Sequence, residues 1–111
     1  MLEKLFGNVT IERVLFFLLT NERCYGSQLA QRFDSPLYSF QNALERLERA
    51  GIIVSFKVGK TRTYEFNPRY PFLIELKALI KKAYLSLPSK IKETYYEPTL
   101  RKRPRRTGKP L

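Results

Sequence analysis

Apolar residues recur along the first half of the chain at helical intervals. Ile11, Val14, Leu15, Leu18 and Leu19 fall at i, i+3, i+4, i+7 and i+8, one face of an amphipathic helix that starts near Asn8 or Thr10. The stretch NERCYG breaks that pattern, and GSQLAQRF then sets Leu29, Ala30 and Phe33 on one side of a short helix. Asp34 and Ser35 supply turn and capping chemistry, and Pro36 suits the first position of a third helix. This helix spans about 36–50, with Leu37, Phe40, Leu44 and Leu47 on the core side. Tyr38, Asn42, Glu45 and Arg49 line the opposite side, flanked by Ser39, Gln41 and Arg46. Gly51 closes it as a left-handed cap. The run IIVSFKV, the turn GKT and the return RTYEF form a β-hairpin, with Val54, Phe56, Tyr64 and Phe66 available to one face. After NPRYP, Leu73, Leu76, Ile80, Ala83 and Leu87 mark a last helix that ends at Pro88.

The expected fold is therefore mainly α with a β-hairpin (α+β), in the order helix-helix-helix-strand-strand-helix. A short helix, a tight turn and a helix with a polar front form a helix-turn-helix, and the hairpin after it is a wing.

Charge and composition sharpen the picture. A chain of 111 residues with 43% apolar content holds one modest core. Lys and Arg number 21 against 10 Asp and Glu, a net +11, which points to a polyanionic partner: nucleic acid first, an anionic membrane surface second. Residues 1–88 carry 13 basic and 8 acidic side chains (+5), and residues 89–111 carry 8 and 2 (+6). The sequence thus divides into a winged helix-turn-helix domain, 1–88, and a basic, proline-containing C-terminal tail, 89–111. With no histidine and one cysteine, a His/Cys metal cluster, an intramolecular disulfide and Ser–His or Cys–His catalysis are excluded. No pair of carboxylates is spaced for metal or acid–base chemistry, so no enzyme activity and no cofactor are expected. VLFFLL is too short to span a bilayer, and the expected setting is cytoplasmic, at the nucleoid.

The segment LAQRFDSPLYSFQNALERLERAGIIVSFKVGKTRTYEFNP, 29–68, resembles winged helix-turn-helix regulators of the ArsR-like and MarR-like superfamily. Its most specific part is the run of Leu44, Leu47 and AGII, followed by the Gly59 turn and the Tyr64 strand. LFGN and YPFLIELKALI also look like a subgroup of small archaeal and bacterial members, and the resemblance covers about residues 5–85. It implies a sequence-specific regulator of double-stranded DNA, a repressor acting by promoter occlusion, whose third helix enters the major groove. Base contacts would come from Tyr38, Ser39, Gln41 and Asn42. Asn and Gln suit adenine edges, and Tyr suits a phosphate or a thymine methyl. Arg46 and Arg49 would stand at the groove wall, Lys57, Lys60, Thr61 and Arg62 on the wing, and Arg23 and Arg32 near phosphates. Tyr38 as a half-buried aromatic and the wing charges as edge-strand protection are the plainer alternatives.

Three features qualify the resemblance. Glu45 lies on the outward stripe, where phosphates would repel it unless it pairs with Arg49 one turn on. Metal sensing does not carry over, because Cys24 stands alone and reads best as a small buried residue. The first and last helices expose enough apolar surface to suggest a homodimer through Leu15, Leu18, Leu76, Ile80, Ala83 and Leu87, or else the closed core of a monomer. A dimer would read half-sites roughly 34 Å apart. In the tail, Arg101, Lys102, Arg103, Arg105 and Arg106 read as an arm for the DNA backbone or minor groove, or as a solubilising end. RNA binding and a protein–protein module remain the rival functions.

Overall fold

The computed structural model describes residues 2–97. Its elements run α1 (Glu3–Phe6), α2 (Val9–Asn21), α3 (Gly26–Phe33), α4 (Leu37–Arg49), β1 (Ile53–Val58), β2 (Thr61–Phe66), α5 (Leu73–Leu85) and α6 (Ser89–Ile91). A π-helical turn, Lys92–Tyr96, follows.

α2 begins where the side-chain oxygen of Asn8 accepts the backbone N–H of Ile11 at 2.7 Å. It ends at Glu22, whose left-handed backbone (φ 71°) turns its N–H back to the Leu18 carbonyl. Ile11, Val14, Leu15, Phe16, Phe17 and Leu18 are all buried, a wider surface than one stripe. α1, α4, α5 and the C-terminal π-turn each cover part of it. The buried Glu12 carboxylate accepts the backbone N–H of Leu2, which fixes the N-terminal segment to the same helix.

α3 and α4 meet closely at their N-terminal ends. A Cβ at Gly26 would stand 3.3 Å from Leu37 Cδ1, so glycine there permits the approach. Asp34 is left-handed (φ 51°), and the Ser35 N–H returns to the Ala30 carbonyl at 3.0 Å. Pro36 caps α4 with extended ψ (140°) instead of occupying its first turn. The register of α4 consequently buries Phe40, Ala43, Leu44 and Leu47, while Leu37, expected inside, is 42% exposed. Gly51 (φ 81°) ends the helix, and the Ile52 N–H donates to the Leu47 carbonyl. Asn67 then ties the far end of the hairpin to this point, donating from its side chain to the Gly51 carbonyl and from its backbone to Ile52.

The hairpin pairs Ile53 with Phe66, Ser55 with Tyr64, Phe56 with Thr63 and Val58 with Thr61. Paired residues share a face, and alternate residues change face. Ile53, Ser55 and Lys57 therefore lie with Phe66, Tyr64 and Arg62, whereas Val54 and Phe56 lie with Glu65 and Thr63. The expected set of Val54, Phe56, Tyr64 and Phe66 is split between two faces. Cys24 joins this sheet by exchanging backbone hydrogen bonds with Tyr64 (3.0 and 2.8 Å), which brings the segment before α3 alongside β2. Its thiol is buried, and burial pushes its pKa up to about 12.

α5 and the C-terminal segment bear on two expectations. Leu15, Leu18, Ile80 and Ala83 are buried in the chain's own core, and Leu76 and Leu87 are half-buried against it. In this structure they close the chain's own core. The core also continues beyond Pro88. Tyr96 is only 4% exposed and packs edge-on against Phe16 and Tyr84, and Tyr95 stacks on Phe33 at 5.1 Å and 6°. Asn21 donates to the Tyr96 carbonyl and Arg32 to the Tyr95 carbonyl. The packed unit thus reaches Glu97, nine residues beyond the boundary expected at Pro88. Burial, then the Glu12 carboxylate, raises the Tyr96 phenol above its usual range.

Tyr96→Ala should cost about 3–5 kcal/mol in urea unfolding, the scale for emptying a buried aromatic site. Tyr38→Ala should stay within about 0.5 kcal/mol. Equal midpoints for the two variants would contradict the packing described. The Cys24 thiol should resist a thiol-specific reagent at pH 8 in the native protein and react once per chain in denaturant. Fast native labelling would show that this part of the core opens readily.

Candidate nucleic-acid interface

The core-facing residues of α4 leave its other side bare. Tyr38 is 65% exposed, and Gln41, Asn42, Glu45, Arg46, Glu48 and Arg49 are exposed, with Ser39 half-buried. Tyr38, Asn42, Glu45 and Arg49 follow one another at helical spacing, and the last two form an ion pair at 3.4 Å. This pair is open to solvent on both sides, so it contributes only tenths of a kcal/mol, but it occupies both charges. Arg46 turns to the other flank, where one guanidinium nitrogen lies 3.8 Å from the position a Cβ on Gly7 would take.

The wing stands beside this surface. Lys57, Lys60, Thr61 and Arg62 are all exposed around the Gly59 turn. A cleft of about 420 Å³ separates the wing from the starts of α3 and α4, with Tyr25, Ser27, Gln41, Lys60, Arg62 and Tyr64 on its walls. A second, of about 410 Å³, lies between the wing and the outer side of α4 and is walled by Gln41, Asn42, Glu45, Glu48, Arg62 and Tyr64. The first cleft carries only cationic and neutral side chains, whereas the second carries two carboxylates. The first cleft therefore suits a phosphate better than the second.

Arg62 lies at the junction of the two clefts and is held there. Its guanidinium donates to Ser55 Oγ at 2.9 Å, and Ser55 Oγ donates to the Glu48 carboxylate at 2.6 Å. Burial raises the Tyr64 phenol, Glu48 raises it further, and Arg62 acts in the opposite direction. Nothing in the sequence marked Glu48 or Ser55, because each lies seven residues from its partner, and the turn from α4 into β1 and the hairpin register bring them together.

Two arginines expected near phosphates are committed elsewhere. Arg32 donates to the Tyr95 carbonyl at 2.9 Å with its guanidinium 5.4 Å from the Phe17 ring, which ties it to the chain's own C-terminal segment. Arg23 pairs with Glu65 at 3.2 Å and lies over Phe56. Arg101, Lys102, Arg103, Arg105 and Arg106 lie outside the described residues. Among the described residues, no helix is long and apolar enough to cross a membrane.

No model of a known protein family and no curated protein matches the sequence. Among solved structures, the chain is similar to the adhesin competence repressor of Streptococcus pyogenes, with a TM-score of 0.54 and 15% sequence identity. The likeness covers 78% of this chain and 66% of that one, so the chain spans just under two thirds of the length of its structural neighbour. The helices α2, α3 and α4, the antiparallel two-stranded hairpin and α5, in that order, give this chain the winged-helix fold.

Proposed function

We propose that the chain is a sequence-specific double-stranded DNA-binding transcriptional regulator, a repressor that occludes its promoter as a homodimer. The observation that carries this reading is the bare polar front of α4, where Tyr38, Gln41 and Asn42 project beside a cationic wing. The likeness to a repressor of the same fold supports it. Gln41 and Asn42 can each pair with an adenine edge through one donor and one acceptor, and Tyr38 can pack on a thymine methyl or donate to a phosphate. Ser39 contributes a hydroxyl at the same end. Lys57, Lys60, Thr61 and Arg62 hold the backbone from the wing, and Arg46 does so from the flank of α4. Arg49 contributes less while it is paired with Glu45. The residues beyond Glu97 add five clustered cations, Arg101, Lys102, Arg103, Arg105 and Arg106, whose binding carries no sequence preference.

Selection from random duplexes with the purified chain tests the reading directly. It should yield one short imperfect palindrome, preferred over random duplex by ~10³-fold or more. A preference for folded RNA, or failure to bind any duplex at low salt, would replace it with an RNA-binding or protein-binding role.

Asn42→Ala should cost about 1–3 kcal/mol on the selected site and relax preference at one base pair. Lys60→Ala should weaken all duplexes alike and lower the salt slope by about 1. Uniform losses for both variants would mean that α4 does not read bases. Removing residues 98–111, which spares Tyr96, should flatten the salt dependence while leaving the base preference unchanged. An unaltered slope would refute the arm.

A further inference from the structure

The segment that follows α5 is tied directly to the helix-turn-helix. Tyr95 stacks on Phe33, the last residue of α3, at 5.1 Å, and Phe33 stacks in turn on Phe40 of α4 at 5.7 Å. Arg32 holds the Tyr95 carbonyl and Asn21 the Tyr96 carbonyl. Arg13 steadies the same turn, with its guanidinium 5.0 Å from the Phe33 ring and a hydrogen bond to Ser35 Oγ. Together these contacts fix where the chain stands when it reaches Glu97. That residue is extended (φ −71°, ψ 134°), the conformation that the following Pro98 favours, so the chain turns out of the π-helical turn there.

The wing and this anchor stand at opposite ends of α3. Cys24, paired with Tyr64 of the hairpin, lies two residues before α3, whose eight residues span about 12 Å at 1.5 Å each. Phe33, under Tyr95, lies four residues before Leu37, the first residue of α4. We infer that Tyr95 and Arg32 are positioning residues for the basic arm, Arg101 to Arg106, and that the arm follows the phosphates on the flank of α4 opposite the wing. Reach supports the inference. Arg101 is four residues beyond Glu97 and Arg106 nine, at most about 14 and 32 Å along an extended chain. One turn of duplex is about 34 Å, so the whole cluster stays within a turn of the front of α4. Two cationic elements then hold the strands on either side while α4 reads between them. Phe33 sets both, touching α4 through Phe40 and the arm through Tyr95.

The inference rests on the proposed DNA-binding function and adds to it an anchor and a place for the arm. Its test uses the full chain on the duplex obtained by selection. The variants Arg101→Cys and Lys60→Cys each carry an iron–EDTA group on the new thiol, while Cys24 is buried and escapes labelling. Strand cuts from position 101 should cluster on one flank of each half-site, and cuts from position 60 on the other. A six-residue Gly-Ser insertion after Glu97 keeps every contact of the packed unit and doubles the six residue steps from Glu97 to Arg103. It should spread the cuts from position 101 and weaken binding about threefold through a lower effective concentration. Tm should stay unchanged, and so should the salt slope, because no charge is lost. Tyr95→Ala should spread the cuts likewise, whereas Tyr95→Phe, which keeps a ring on Phe33, should preserve the clustered pattern.

Cuts from position 101 that scatter over the duplex, that coincide with those from position 60, or that ignore the insertion would overturn the anchored arm. The base-reading function would still stand. No cutting at all from position 101 on a selectively bound duplex would do the same. A chain that selects no duplex would overturn both.

Discussion

Phe16, Phe17 and Leu18 are consecutive, so their side chains leave α2 about 100° apart, yet each is fully buried. A helix that is apolar over so much of its circumference has to be covered from several directions. α4 covers one side, α5 another, and Tyr96 a third, with α1 against the remainder. This requirement fixes the rotation of α4 about its own axis, since Phe40, Leu44 and Leu47 have to face inward. The polar front of α4 is the geometric remainder of that packing. Its exposure follows from the burial of α2 before any ligand is considered.

Charge follows a different logic from shape. α4 itself carries Glu45 and Glu48 against Arg46 and Arg49, so the helix with the bare front is formally neutral. The excess positive charge of the packed unit that lies near it is on the wing, and much of the rest lies beyond Glu97. Within the proposed reading, affinity and discrimination thus come from different parts of the chain. The amides of the first turns suit base edges, and the lysines of the hairpin suit phosphates. The carboxylates near the end of α4 narrow the ground on which a phosphate strand can run.

Much of this was legible in the sequence because it depended on local spacing. The helical faces of α2 and α4, the Gly51 stop and the hairpin all follow from residues within one or two turns of each other. What depended on register or distant contacts was not. IIVSFKV has apolar residues on both parities, so its faces were ambiguous until the Gly59 turn fixed Val58 against Thr61. Residues 89–97 looked like the start of a tail because Lys90, Lys92, Glu93 and Glu97 outweigh the apolar residues among them. Tyr95 and Tyr96 are nevertheless held by Phe33, Phe16 and Asn21, which are more than sixty residues away. The Arg32–Tyr95 hydrogen bond was hidden for the same reason. The periodicity of the last helix was real, but a stripe that closes a monomer and one that joins two copies have the same spacing, and only burial tells them apart.

The paired backbone hydrogen bonds between Cys24 and Tyr64 have one more effect. They staple the hairpin to the chain just ahead of α3, while Asn67 clamps the hairpin base to the end of α4. Held at two points, the wing cannot pivot without breaking backbone pairing. The ties set the distance between the hairpin and the front of α4. Within the proposed reading, a double helix held by both would need the matching groove width or be bent to it, so local duplex shape would be measured together with the bases themselves.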